Sequence, residues 1–193
     1  MSSAQILLLD RVEFSVIKVE SLHGEFPLDP GFPQLAIDPE KVNYLTRSEL
    51  IFPEDQAVDP RHFALTYGVK VNRDDVPMDR GSPYEIEVEA VGYFRYVGGD
   101  EFKGVDRFRA VYFSGYQILH GAIREMVCNL TARGRHGLWH LPARSFGSIA
   151  KEHAERDEER RQQLLAQAAV TMVEAQKVVR KRPPRKSAKK FTD

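Results

Sequence analysis

Residues 84–90 read YEIEVEA, in which Tyr84, Ile86, Val88 and Ala90 alternate with Glu85, Glu87 and Glu89. Successive side chains of a β-strand leave it toward opposite faces, so this period of two predicts a strand with one covered apolar face and one charged, wet face. Upstream, Phe63, Leu65, Tyr67, Val69 and Val71 fall on one face of a second such stretch. Nearer the N-terminus, Val12, Phe14 and Val16 alternate with Arg11, Glu13 and Ser15. Ile17 and Val19 then shift the phase by one, which predicts a bulge near Val16. A fourth stretch, from about Asn43 to Phe52, sets Tyr44, Leu50 and Phe52 on one side and Leu45 and Ile51 on the other, so neither face is plainly the wet one.

The joints between these strands differ in kind. Residues 53–60 (PEDQAVDP) and 72–83 (NRDDVPMDRGSP) are short and rich in turn formers, which suits antiparallel neighbours. Residues 23–40 carry four prolines and two glycines and predict a long irregular crossing. From about Ser114 the period becomes helical, with Tyr116, Leu119, Ile123, Val127 and Leu130 recurring at three and four residues. Gly134 is placed to end this helix as the residue just past its C-terminus, between Arg133 and Arg135 at the negative end of the helix dipole. An extended link, Leu138–Phe146, follows. Residues 148–180 contain no proline and are rich in Ala, Gln, Glu and Arg, so a second helix is expected. Nine of the thirteen residues 151–163 are charged, which leaves no buried face expected there. Leu164, Leu165, Ala168, Met172, Val173 and Val179 form a weak apolar stripe beyond.

The chain has 193 residues, 42% of them apolar and 29% charged, enough for one ordinary domain with an appendage or for two very small ones. No apolar run approaches the roughly 18 residues that cross a bilayer, and the first residues lack the basic start and cleavage site of a secretory signal. A cytoplasmic protein without membrane insertion is expected. Cys128 is the single cysteine, which excludes an internal disulfide and the usual thiolate zinc sets. The 28 basic and 28 acidic residues cancel overall, but eight Lys or Arg against one Asp fall in residues 176–193. An acidic body of 20 basic and 27 acidic residues therefore carries a basic tail. That tail fits solubilising disorder, nonspecific nucleic-acid contact, or docking on an acidic partner.

Motifs of catalysis are weak. Gly98-Gly99-Asp100-Glu101-Phe102 spells the signature of diguanylate cyclases, but the upstream metal-binding segments of that family have no counterpart in residues 1–94. The plain reading is a Gly-Gly turn after a strand with Asp100 and Glu101 exposed. His136 and His140 have a metal-ligand spacing, yet Gly134 and Gly137 argue against a helix there, so surface or partly packed histidines are expected and no metal. There is no Walker loop, no G-x-S-x-G and no G-x-G-x-x-G, and no cofactor is expected. Cys128 reads as a small buried hydrophobe.

The segment 118–134 (ILHGAIREMVCNLTARG) followed by 138–146 (LWHLPARSF) resembles the SecB family of export chaperones, in which a long helix ending A-R-E-C-I-x-x-L-V-S-R-G leads into a link like L-N-L-x-P-V-N-F. Arg124-Glu125, Arg133-Gly134, Leu141-Pro142 and Phe146 coincide. Residues 87–94 (EVEAVGYF) are similar to the family's last strand, and the order of four strands, long helix, link and second helix agrees over about residues 8–165. The resemblance implies an α+β fold, a four-stranded antiparallel sheet with a long helix and a C-terminal helix packed on one face. It divides the chain into 1–147 for sheet and first helix, 148–180 for the C-terminal helix and 181–193 for a basic disordered tail.

The resemblance also implies a homo-oligomer, a dimer of dimers, that is no enzyme and holds unfolded polypeptides without ATP. Promiscuous capture needs apolar surface that stays exposed yet soluble, and Tyr44, Leu50, Phe52, Tyr93, Phe94, Leu138, Trp139 and Leu141 are the residues expected to line such grooves. The SecA motor is a partner of the export branch, which typically ends in an acidic or polar tail. A basic tail fits at least as well the branch that holds an antitoxin of a toxin–antitoxin pair. The alternative is a nucleic-acid-associated or phage-type structural module that acts through the tail.

Overall fold

The computed structural model describes residues 6–23, 44–71 and 82–180, with side chains through residue 171. Four strands and two helices follow one another along it: β1 (Leu7–Ser21), β2 (Tyr44–Ile51), β3 (His62–Val71), β4 (Tyr84–Tyr96), α1 (Val105–Thr131) and α2 (Gly147–Arg180). The expected crossing between β1 and β2 and the expected disordered tail lie outside the described residues. All pairings in the sheet are antiparallel, in the order β1-β4-β3-β2. This is the expected α+β class. Among the described residues β1 and β2 are the two edges of the sheet.

Register explains the faces. Tyr84, Ile86, Val88 and Ala90 of β4 and the five odd residues of β3 from Phe63 to Val71 are buried beneath the helices. Leu50 and Ser48 of β2 pair with Leu65 and Tyr67. The face carrying Tyr44 and Leu50 is therefore the covered one, while Leu45 and Ile51 stay exposed on the other side. In β1 the expected slip is present between Phe14 and Val16, and a second one interrupts the pairing between Leu9 and Arg11.

Two expectations about the helices are corrected. α1 begins at Val105, not near Ser114, because Phe108, Val111 and Tyr112 already occupy the i, i+3, i+4 positions that Gly115, Tyr116 and Leu119 continue. Its aromatic content disguised the first turns as something other than helix. Gly134 is not a left-handed cap, since only Gly104 and Gly137 have positive φ among the described glycines. Its role is close approach: a Cβ on Gly134 would sit 2.6 Å from the Tyr84 hydroxyl.

α2 also docks where no buried face was expected. Ala150, Ala154 and Asp157 recur at three and four residues and are buried, with Arg161 half-buried one turn on. The charged run succeeds as a packed face because its charges are satisfied at the contact. Tyr112 donates to the Asp157 carboxylate, Arg160 Nη2 donates to the Leu50 carbonyl at 3.0 Å, and Arg161 Nη1 donates to the Ala57 carbonyl at 2.9 Å. Leu164 and Leu165 pack at the rim of the core, and residues 166–171 are exposed on every side. No described helix is long and apolar enough to cross a membrane.

Candidate functional site

The eight residues expected to line grooves separate into two groups. Leu50, Phe52, Phe94, Trp139 and Leu141 are buried within the chain itself, so they belong to the core and are corrected as surface candidates. Leu50 and Phe94 lie on the helix-covered face of their strands, where the other buried residues of the sheet gather. Phe52, just beyond β2, packs its ring 5.5 Å from that of Phe108 on α1. Tyr44, Tyr93 and Leu138 are half-buried and keep part of their surface.

Trp139 and Leu141 enter the core because the link after α1 is pinned along its length. Thr131, at the end of α1, donates its hydroxyl to the Val127 carbonyl at 2.8 Å and accepts the backbone N–H of Trp139 at 3.0 Å. Tyr84 donates to the Gly137 carbonyl at 2.7 Å, and His136 Nε2 donates to the Leu22 carbonyl at 2.7 Å. His120 Nε2 donates to the Pro142 carbonyl at 3.0 Å, and Arg144 donates to the Thr46 hydroxyl at 2.9 Å. These bonds reach β2, β4, α1 and the end of β1, so the link is a strap across the body.

Besides Leu45 and Ile51 on the other face of β2 and the scattered Val58, Val97, Val105 and Val170, the exposed large apolar side chains among the described residues lie on β1 and α1. On β1, Leu9 and Ile17 are 41% and 48% exposed although they pair with Phe94 and Val88 and so share the helix-covered face. Leu7, Val12, Phe14 and Val19 beside them are half-buried. α1 reaches β1 as well as β3 and β4, but leaves Leu9 and Ile17 partly uncovered. On α1, Phe113, Ile118 and Leu130 are exposed, and Ala122 and Met126 continue one turn and two turns beyond Ile118 half-buried. Leu9, Ile17, Phe113 and Ile118 were not singled out from sequence. The alternation of β1 was visible, but its position at an edge was not.

The opposite face of the sheet is polar. Arg47 on β2 crosses over Gly68 to the Glu89 carboxylate of β4, which also accepts from Ser15 of β1 at 2.6 Å. A side chain at position 68 would crowd Arg47, since its Cβ would lie 3.2 Å from Arg47 Cγ. Burial pushes the Glu89 carboxyl up, and the bonds from Ser15 and Arg47 outweigh it and hold it below the ordinary range. Lys18–Glu85, Lys70–Glu87 and Arg95–Asp10 pairs and the Arg11 guanidinium 4.2 Å over the Tyr93 ring complete the lattice. Tyr93 is thus held under a cation on a charged face.

Two polar clusters have the residue types of catalysis. Tyr116 Oη lies 2.6 Å from both Ser48 Oγ and His153 Nδ1, joining β2, α1 and α2. Desolvation lowers the His153 pKa and pushes the Tyr116 hydroxyl up to about 12, so at neutral pH the cluster is uncharged and works as a buried joint. Cys128 Sγ lies 2.9 Å from His140 Nδ1, but burial pushes the thiol up, away from the reactive thiolate. His136 and His140 are partly packed histidines held by Leu22 and Cys128. Among the described residues no three His, Cys, Asp or Glu side chains are grouped to hold a metal ion.

No model of a known protein family matches the chain, and no curated protein does. Among solved structures, a SecB-like chaperone of Mycobacterium tuberculosis, in complex with a peptide from an antitoxin, aligns at 15% identity and a TM-score of 0.44, over 72% of this chain and 91% of its own. A protein of unknown function from Streptococcus agalactiae aligns at 10% identity and a TM-score of 0.39, over 73% of this chain and 100% of its own.

Proposed function

We propose that the protein is an ATP-independent holdase that associates with itself through β1 and captures non-native polypeptide on the apolar surface left by its helices. The observation that carries this reading is the exposed apolar surface of β1, on the covered face of the sheet, together with the exposed apolar side chains of α1. Isolated exposed hydrophobes need no explanation, whereas Leu9 and Ile17, with half-buried Val12 and Phe14 between them on the covered face of a 15-residue edge strand, form a stripe that a partner would cover. The sequence resemblance in residues 85–146 supports the same reading from an independent direction.

The division of labour follows from geometry. β1 lies at the edge of the sheet and carries Leu9 and Ile17, which suits a second copy of the chain adding its own edge strand. Tyr44 and Leu138, with Phe113 and Leu130 on α1, offer side chains without free backbone, which suits transient capture. An antitoxin is one client class consistent with the basic tail, and nonspecific nucleic-acid contact through that tail is the second reading.

The deciding experiment mixes the purified protein with an aggregating unfolded protein at equal concentration without ATP, while light scattering gives its mass in the same buffer. Suppression by an assembly of about 88 kDa, four chains of 22.0 kDa, is expected. A monomer that suppresses nothing refutes the reading. A DNA affinity that falls steeply with salt and is lost on removing residues 177–193 would favour the second reading.

A further inference from the structure

A cavity of about 340 Å³ opens where the turn after β2, the start of α1 and the middle of α2 converge. Asp59, Asp100, Lys103, Arg107 and Arg161 all line it, three cations to two carboxylates. We propose that it binds a small ligand through an oxyanion, a phosphate or a carboxylate group.

Arg107 carries the argument. It is 2% exposed, and three of its contacts fix it: Nε donates to the Phe102 carbonyl at 3.0 Å, and Nη1 donates to the Pro60 carbonyl at 3.0 Å and to the Asp59 carboxylate. Its guanidinium carbon lies 4.4 Å from the centre of the Tyr96 ring. Nη2 makes no hydrogen bond among the described residues. A guanidinium held in one plane with one nitrogen unused is preorganised for an oxyanion, since no side-chain freedom remains to be lost on binding. Asp59 does not neutralise it alone, because Arg61 also donates to that carboxylate at 2.7 Å.

The other groups fit the same ligand. Arg161 is fixed by the Glu158 carboxylate and the Ala57 carbonyl. Lys103 pairs with Asp100 at 3.1 Å with both side chains well exposed, a contact weak enough to exchange for a ligand. Gly104, at φ 54°, precedes α1 with no side-chain cap, so the positive end of a 27-residue helix adjoins the same cavity; the Glu158 carboxylate beside Gly104 is already held by Arg161.

The site also accounts for the Gly98–Phe102 string. Tyr96 donates to the Gly99 carbonyl at 3.2 Å, and a Cβ on Gly98 would lie 2.6 Å from the Tyr96 hydroxyl. Gly98 lets the loop wrap Tyr96, which in turn supports the Arg107 plane. The string is the frame of an anion pocket.

The test uses the full-length protein and reads Tm while sodium phosphate or sodium acetate is raised at constant ionic strength against chloride. A saturable rise of about 5–11 °C at roughly a hundredfold excess over Kd is expected with at least one of the two anions. Phosphate alone indicates a phosphate-bearing ligand, and acetate alone a carboxylate. Lys103→Glu, at an exposed position, should reduce the shift, and Asp100→Asn should reach saturation at lower anion concentration. A Tm that follows ionic strength alone, or a shift unchanged in both variants, overturns the proposal. Aggregation suppression is a separate readout, so this outcome leaves the chaperone reading where it stands.

Discussion

Replacing Trp139 by alanine separates a core residue from a groove residue. Burying an aromatic side chain removes about 150–250 Å² from water. At about 25 cal/mol per Å² this is an upper bound of roughly 4–6 kcal/mol. Trp139 Nε1 is buried without a hydrogen-bond partner among the described residues, so its removal relieves about 1–3 kcal/mol of desolvation penalty. The expected net loss is about 3 kcal/mol. For a chain of this size that lowers Tm by roughly 6–12 °C. Trp139→Phe keeps most of the ring and lacks the unpaired N–H, so it should cost about 1 kcal/mol. Circular dichroism melts measure both variants. The wild-type protein supplies an internal check, because Trp139 is its single tryptophan. Its fluorescence should be blue-shifted and protected from acrylamide until the chain unfolds. A Tm loss below about 2 °C, or quenching as free as in urea, would refute the placement of Trp139 and with it the strapped link.

Position decides the fate of the glycines: Gly134→Ala should cost about 1–2 kcal/mol by driving a methyl into Tyr84, while Gly99→Ala, with open space around it, should stay within about 0.5 kcal/mol by urea melts. Ile17→Lys combined with Leu9→Lys should shift the light-scattering mass toward the monomer with the circular dichroism spectrum unchanged; an intact assembly would remove β1 from the interface. Stability should fall with acidification, since burial draws His120 and His153 below the ordinary 6.5. The unfolded chain then holds more protons between the depressed values and 6.5, so the contribution is present above 6.5 and is lost as pH falls through that window. His153→Gln should flatten this slope in urea titrations, and an unchanged slope would exclude His153 as its source. Glu89→Gln should change stability by about 1 kcal/mol or less, because its partner Arg47 is mostly exposed.

The strands were legible because their signal is local. Tyr84 to Ala90 and Phe63 to Val71 carry a two-residue period that survives any tertiary context. The start of α1 and the docking of α2 were not legible. Arg107, Tyr112 and Asp157 are unusual choices for buried positions, and they become good ones only when a partner arrives from 45 or 48 residues away. The burial of five of the eight candidate groove residues was illegible for the same reason. Trp139 and Leu141 look like groove residues when only the link is considered, and nothing within it announces that Thr131 and Tyr84 will hold it down. Leu9 and Ile17 look like ordinary strand residues until the strand order makes β1 an edge.

The two slips in β1 bear on how far assembly can run. An edge strand that invites a second copy also invites a third, and flat regular edges propagate into fibres. Between Leu9 and Arg11, and again between Phe14 and Val16, the ladder loses its regular beat, so an incoming strand meets matching backbone only in short tracts. Charged Asp10 and Arg11 sit at the first interruption. Under the proposed self-association through β1, such an edge would take one partner in one alignment and give no template for endless growth.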